Sequence, residues 1–295
     1  MENKRLPKVS IIVPIYNGGE KIIRCLESIF RLNYPDYEVI FIDNNSNDGS
    51  KYKIKKQFKK HKNLRMIENK ENLGCSKAIN QGFKTAKSLM ILTLDEDVIL
   101  HKDLLKELVK VILSEDNIGA VSPKIFNYQS KKLMGIGFKI SNFIGKTTVI
   151  GENQIDNGQF DNMQKVDYVP GAVILAKKEV IDKIDGMDED YFLYYGDANY
   201  CLSIRKAGYN ILYVPTAIAW HDCNTSEGFN SLRMYNFTKS KLIFMKKNSK
   251  VFNKFIFFLF FFCLYSPMRI ISFLIKRKFI LIFAYFKGLK DGVLK

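Results

Sequence analysis

The sequence predicts an α/β fold: a Rossmann-like, mostly parallel sheet flanked by helices, followed by a basic, apolar helical tail. Short runs rich in Val, Ile and Phe alternate with segments of helical spacing from Val9 to Leu100, the pattern of repeated βαβ units. Three of these runs end in polar clusters, at residues 14–17, 43–48 and 95–97. In open sheets of this kind, ligands bind beyond the carboxyl ends of the strands, where strand order reverses.

Residues 9–13 form the first buried strand, closed by Pro14, Ile15, Tyr16, Asn17 and two glycines. The segment through Leu26 and Phe30 has helical spacing. Residues 37–42 are a second strand, ending in an Asp/Asn-rich turn that begins at Asp43. The Lys-rich segment 51–62 is a surface helix, and residues 64–67 are a short third strand. Asn72 and Gly74 open a helix through Ala78, Gly82 and Ala86, and the fourth strand delivers Asp95. Further on, residues 173–175 and 211–214 read as strands, 198–207 as a helix, and 215–220 as a turn.

The run Met90-Ile91-Leu92-Thr93-Leu94 ends abruptly in Asp95, Glu96 and Asp97. Alternating carboxylates at a strand tip point to a hard divalent ion, Mg²⁺ or Mn²⁺. Such ions are held by one or two carboxylates plus substrate phosphates, which implies a phosphate-bearing substrate. The alternative is an acidic turn that caps the next helix. No GxGxxG follows the first strand and no GxxxxGK[ST] occurs, which argues against a dinucleotide cofactor and a P-loop.

The net charge is +16, but it is unevenly spread. From Thr225 to Lys295 there are 14 Lys+Arg and 2 acids, a net of +12; the rest of the chain carries only +4. Basic charge on an Phe-rich apolar tail suits an anionic membrane surface rather than nucleic acid. The five scattered cysteines fit neither a disulfide framework nor a zinc site. The apolar run after Lys8 is short and broken by Pro14, unlike a secretory leader, so the body is expected in the cytosol.

Five blocks in order resemble the inverting glycosyltransferases of family 2, with the GT-A fold. They are VSIIVPIYNGGEKIIRCLESI, VIFIDNNSNDGS, ENLGCSKAINQGFKTAKS, ILTLDEDVIL and GMDEDYFLYYGDANYCLSIRKAGYNILYVPTAIAWH. The fifth is similar to the acceptor side of rhamnosyltransferase-like members. The resemblance implies a GT-A domain over residues 1–228, with a nucleotide-sugar half (1–125) and an acceptor half (126–228), and a membrane-associating region over 229–295.

It also implies roles. Pro14, Tyr16, Asn17 and Asp43 would line the nucleoside of a nucleotide-sugar donor, although Asp43 also suits a plain Asx turn. Asn72 and Gly74 would turn the backbone near the donor, or simply start a helix that needs glycine. Asp95 and Asp97 match the family's Asp-x-Asp pattern, with Asp97 the direct metal ligand and Asp95 on the ribose or the metal's water. Glu96 is expected to point away. His221 would complete the metal site, and Gly171 and Ala172 would floor the acceptor site. Asp197 is the candidate general base, with Gly196 standing where the family has Glu and Asn199 where it often has Asp; its alternative is an N-cap. Arg233 falls near the active-site rim, where it could meet the diphosphate or an anionic acceptor, or snorkel at the surface.

In the tail, residues 255–266 carry no charge, too few to span a bilayer as a helix. Extension to Ile275 adds Pro267 and Arg269, and Lys residues flank both ends. A hairpin or interfacial helix on the cytoplasmic side is favoured, with residues 279–286 as a second apolar piece; a true span and core burial are the alternatives. A glycan or lipid-linked acceptor would account for the tail. Competing functions are a catalytically impaired relative that binds nucleotide sugar or a partner, and a nucleotidyltransferase. The latter needs a Gly-rich loop bearing Arg or Lys after the first strand, which Tyr16-Asn17-Gly18-Gly19 does not supply.

Overall fold

The computed structural model describes residues 6–140, 147–223 and 230–295. Strands β1 (Val9–Ile15), β2 (Tyr37–Asp43), β3 (Leu64–Glu68) and β4 (Met90–Leu94) are parallel, in the spatial order β3-β2-β1-β4. Helices α1 (Lys21–Phe30), α2 (Ser50–Gln57) and α3 (Cys75–Thr85) connect them. Strand order therefore reverses between β1 and β4, and the crevice at their carboxyl ends is the place for a ligand.

Along β1, Val9, Ile11, Val13 and Ile15 enter one apolar core with α1 and α4 (Leu104–Ile112), while Ile12 enters the other. Burial on both faces is why the strand reads as continuously apolar rather than alternating. The Lys-rich α2 is shorter than expected: Ile54 and Phe58 are buried, and the helix stops at Gln57.

Beyond β4 the sheet is mixed rather than mostly parallel. After β5 (Val98–Leu100), the long β6 (Ile118–Asn127) carries β7 (Leu133–Gly135) on its end, and β8 (Gly137–Ile140) pairs with β9 (Thr147–Ile150) as a separate ribbon. Past β10 (Gln164–Lys165), β11 (Val173–Lys177) inserts antiparallel between β4 and β6. It enters from a loop, and an antiparallel neighbour needs no crossover helix. After α5 (Lys178–Lys183) and α6 (Gly196–Lys206), β12 (Asn210–His221) runs parallel to β6.

The turn expected at residues 215–220 does not form. β12 continues to His221, and a register shift between Val214 and Ile218 absorbs the sequence irregularity. Pro215 has no N–H to give to a ladder, so a bulge at that point keeps the strand going.

Helix α7 (Ser231–Asn248) packs on the body, and its Leu242, Ile243 and Phe244 join the core with Ile12 and Ile40. Residues 227–229, the start expected for this helix, lie outside the described residues. Helix α8 runs from Val251 to Ile275 as one 25-residue helix, about 37 Å long against a bilayer core of about 30 Å. The helix continues past Ser266 through Pro267 and Arg269. A π-helical stretch at Phe261–Tyr265 precedes Pro267 and widens the turn that the proline ring would otherwise crowd. Only 17% of the most apolar window of α8 is buried, so core burial does not describe it.

Helix α9 (Phe279–Leu294) lies against α7 through Gly288 and Gly292. A Cβ on Gly288 would come 2.7 Å from the Tyr235 carbonyl oxygen, and one on Gly292 would come 3.0 Å from that of Lys239. One face of the second apolar piece is thus docked on the body, with Leu281 and Tyr285 buried, while Ile280 and Phe283 stay exposed.

Candidate active site

The acidic cluster sits on a turn, not in a strand. Val98 N–H donates to the Asp95 carbonyl (3.2 Å), and β5 then doubles back to pair antiparallel with the end of β12. His221 is in register with Val98, and Asp222 N–H donates to the Asp97 carbonyl (2.8 Å). The unbroken β12 is therefore what carries His221 to Asp97, at 2.9 Å from Nε2 to Oδ1. One ligand atom each from Asp95, Asp97 and His221 lie within 4.8 Å of one another. Two hard carboxylates and an imidazole suit a divalent ion of the Mn²⁺ or Mg²⁺ class.

The electrostatics have the same sense. Burial pushes the Asp95 carboxyl up to about 6, with Asp97 and Asp197 adding to the rise and His221 opposing it. Burial alone would also raise Asp97, but the His221 hydrogen bond and charge, with Lys21 at 4.0 Å, outweigh it and hold this carboxyl below its ordinary range. On His221, Asp97 in turn overcomes burial and raises the imidazole. Crowded, partly desolvated carboxylates of this kind are stabilised by a cation.

A cleft of about 390 Å³ opens on this cluster. Of the candidates, Pro14, Tyr16, Asn72, Gly74, Asp95, Asp97 and His221 line it together. Tyr16 is 45% exposed at its rim. A wider groove of about 700 Å³ lies elsewhere, its wall mixing Lys84, Lys178, Asp182, Asp188 and Lys247. None of the candidate residues lines it.

Asn17, Asp43, Gly171, Ala172 and Asp197 do not line the cleft. Asn17, at φ 58°, stitches two loops: its N–H donates to Ser46 Oγ (3.0 Å) and its Oδ1 accepts from Asn47 N–H (2.9 Å). Asp43 makes the Asx-type contact, accepting from Ser46 N–H at 3.1 Å. Its Oδ2 is buried without a hydrogen bond, 3.9 Å from Lys51 Nζ. The next residue, Asn44, reaches the cleft instead.

Asp197 stands beside the cluster. Gly171 N–H donates to its Oδ2 (3.1 Å), while the next residue, Ala172, accepts from Asp95 N–H (3.0 Å). Gly171 is required by this approach, since a Cβ there would lie 2.9 Å from the Asp197 Cβ. Burial raises the Asp197 carboxyl, outweighing the N–H groups of Ala198 and Gly171 that favour its charged form. Gly196 has a packing reason too: a Cβ would meet Ser76 Oγ at 2.9 Å. Asn199 lines the wider groove and accepts from Asn248 Nδ2 at 2.9 Å.

One residue of the acidic turn was not expected in the cleft. Glu96 does not point away; on a turn, side-chain alternation does not apply. Its Oε2 accepts from Tyr16 N–H at 2.7 Å, tying the loop after β1 to the acidic turn, and burial pushes its carboxyl up to about 8. Arg233 also lines the cleft, from the first turn of α7, where Asn230 Oδ1 accepts its N–H at 2.9 Å. Asn230 stands three residues before Arg233 and caps the helix there.

Gly74 combines φ 84° with ψ 171°, a region open essentially only to glycine, and a Cβ would lie 2.8 Å from the Phe192 carbonyl oxygen. Cys75 N–H donates to that same oxygen (2.9 Å), joining α3 to the segment that leads into α6. Gly74→Ala is therefore expected to cost about 2–4 kcal/mol of stability, measured by denaturant unfolding; a change below about 0.5 kcal/mol would contradict the assigned backbone.

The family model for Glycosyl transferase family 2 matches residues 10–168. The chain is 26% identical over 222 residues to "Probable glycosyltransferase YdaM" of Bacillus subtilis, covering 74% of this chain and 51% of that protein. It is 26% identical over 221 residues to "Glycosyltransferase AglE" of Haloferax volcanii (73% and 67% covered). It is also 26% identical over 223 residues to the poly-beta-1,6-N-acetyl-D-glucosamine synthase of Staphylococcus epidermidis (74% and 51%). The chain thus spans about half the length of YdaM and the synthase. Among solved structures, GalNAc-T7 with UDP, GalNAc and Mn²⁺ superposes with a TM-score of 0.66 at 15% identity, covering 81% of this chain and 48% of that one. The mannosyltransferase PcManGT of Pyrobaculum calidifontis, with GDP-Man and Mn²⁺, gives 0.62 at 17% identity, covering 99% and 87%. At these identities the likeness is one of fold, and the fold is of the GT-A type. With more than half of its length matched by the family model, this chain belongs to glycosyltransferase family 2.

Proposed function

We propose that the chain transfers a sugar, with inversion, from a nucleotide-sugar donor to a hydroxyl of a glycan or lipid-linked acceptor at the cytoplasmic face of a membrane. The convergence of Asp95, Asp97 and His221 at the reversal of strand order, with Asp197 alongside, carries this reading. Tyr16 and Pro14 receive the nucleoside, Asn72 and Gly74 shape the wall beside it, and Asp43 supports that wall from behind through the turn at Ser46. Asp95, Asp97 and His221 hold the divalent ion, which when bound neutralises charge on the departing diphosphate. Arg233 adds a fixed cation on the same cleft. Gly171 and Ala172 floor the acceptor side, and Asp197 accepts the proton of the incoming hydroxyl. Its raised affinity for protons makes it a better base than an ordinary exposed carboxylate. The relatives' printed names, glycosyltransferases and a polysaccharide synthase, support the same reaction class.

The test is a panel of nucleotide sugars, offered with membrane extract and Mn²⁺ and read by released nucleoside diphosphate. Turnover with at least one donor is expected. Gly196, which leaves Asp197 without a neighbouring acid, favours a second reading: a relative that binds the donor without turning it over. Saturable donor binding with no release from any donor would support that reading instead.

The membrane part of the proposal rests on the exposed apolar side chains of α8, among them Phe255 (67% exposed) and Leu259 (54%). Phe255→Glu with Leu259→Glu places charges on that face at a cost of roughly 2–3 kcal/mol each in hydrocarbon. The double variant should move from the membrane pellet to the supernatant with its fold intact. Continued sedimentation with membranes would remove α8 as the anchor.

A further inference from the structure

The backbone that leads into α6, and so to Asp197, is held in an uncommon shape. Tyr194 (φ 65°) and Tyr195 (φ 62°) both take the left-handed conformation, two bulky residues in succession. Side chains of that size rarely enter this region, and they stay there only where the surroundings over-determine the backbone. Left to itself, the turn would relax and carry the start of α6 with it.

The holding groups come from two directions. From α3, Cys75 N–H donates to the Phe192 carbonyl oxygen (2.9 Å); from α7, Ser240 Oγ donates to the next carbonyl, that of Leu193 (2.9 Å). Inside a helix a serine hydroxyl ordinarily turns back to the carbonyl one turn earlier. Ser240, only 2% exposed, gives its proton to the turn before α6 instead. Phe237 and Phe244 flank it on the same face of α7. Their ring centroids lie 5.6 and 5.4 Å from that of Tyr195, and that of Phe237 lies 5.7 Å from that of Tyr194. Further along α7, Lys247 pairs with Asp188 (2.6 Å) and Asp190 (2.7 Å), but its side chain is 37% exposed, and pairs of that kind contribute little. The buried hydroxyl is the stronger hold.

The far end of this turn is at the chemistry. Phe192 and Leu193 line the donor cleft, and four residues beyond Leu193 the Asp197 Oδ2 accepts from Gly171 N–H at 3.1 Å. A shift of about 1 Å in such a group is enough to cost on the order of 10²-fold in rate. Ser240 itself does not line the cleft.

We propose that Ser240 is a positioning residue: through the Leu193 carbonyl it holds the left-handed turn at Tyr194 and Tyr195, and so fixes Asp197 beside the donor cleft. The proposal rests on the reading of Asp197 as the base. It gives α7 a part in catalysis that is separate from the membrane contacts of α8.

The test compares Ser240→Ala with the wild type, both as the full chain. The kcat for release of nucleoside diphosphate should fall about tenfold, the scale of one buried hydrogen bond. Affinity for UDP and GDP, each with Mn²⁺, should stay within about twofold of the wild type. Exchange of the Gly171 amide proton should speed up about tenfold, because its acceptor is no longer held. In the Asp197→Asn background, Ser240→Ala should cost nothing further in kcat. Ser240→Thr and Ser240→Val are equal in volume and differ in the hydroxyl, so the threonine variant should be about fivefold faster; this pair also decides the matter if the alanine variant fails to fold. Rate and nucleotide affinity that fall together, a full further loss on top of Asp197→Asn, or equal rates for threonine and valine would make Ser240 a plain packing residue and overturn the proposal. Unchanged exchange at Gly171 would overturn it too, even where no donor turns over. Asp197→Asn with the wild-type rate would instead sink the base reading, and this role of Ser240 with it.

Discussion

Asp97→Asn is expected to abolish the Mn²⁺-stimulated release of nucleoside diphosphate while leaving the fold intact. The carboxylate keeps its charge despite burial because His221 and Lys21 oppose desolvation, so the native site is already built to hold an anion there. Asparagine fills the same space and offers one neutral oxygen. Loss of an outer-shell partner alone changes metal affinity or activity by about 10–100-fold, so loss of a direct ligand should exceed 10²-fold. The measurement is the rate of nucleotide release against Mn²⁺ concentration. An unchanged Mn²⁺ dependence would refute the ligand assignment.

Asp197→Asn should act differently, costing about 10²–10⁴-fold in kcat with donor affinity unchanged, the scale of general base catalysis. Because burial raises this carboxyl above the ordinary range, the ionised, active form is lost as pH falls through the raised value. The wild-type rate should therefore fall on the acid side at a higher pH than an exposed carboxylate would give, and the variant's residual rate should lose that limb. The same shift enters stability with the opposite sign: the folded state binds this proton more tightly than the unfolded chain does, so its contribution weakens as pH rises from the ordinary value through the raised one. A variant with wild-type kcat, or one that weakens donor binding and kcat together, would place Asp197 outside the chemistry.

Periodicity and strand-end chemistry were legible because they are local. The four apolar runs, the acidic tip after β4 and the polar ends of β1 and β2 could each be read from a few neighbouring residues. What required the third dimension was registry. Asp95 and Asp97 read as alternating strand residues, whereas they occupy a turn, which is why Glu96 faces Tyr16 and not the opposite side. The bulge at Val214/Ile218, which hides Pro215 inside a strand, fixes where His221 falls. Gly171 and Gly196 look alike in sequence, yet one admits Asp197 and the other admits Ser76. The direct packing of α9 on α7 depends on two glycines four residues apart, inside a segment whose composition is that of a lipid-facing helix.

The central claim is that one divalent ion and a nucleoside diphosphate share the cleft at Asp95, Asp97 and His221. A crystal grown with Mn²⁺ and the diphosphate, examined by anomalous scattering at the manganese edge, tests it directly. The expected result is a single strong peak within bonding distance, about 2.0–2.3 Å, of an Asp97 oxygen and the His221 imidazole. A nucleotide bound in the cleft with no peak there, or a peak at a different cluster of acids, would contradict it.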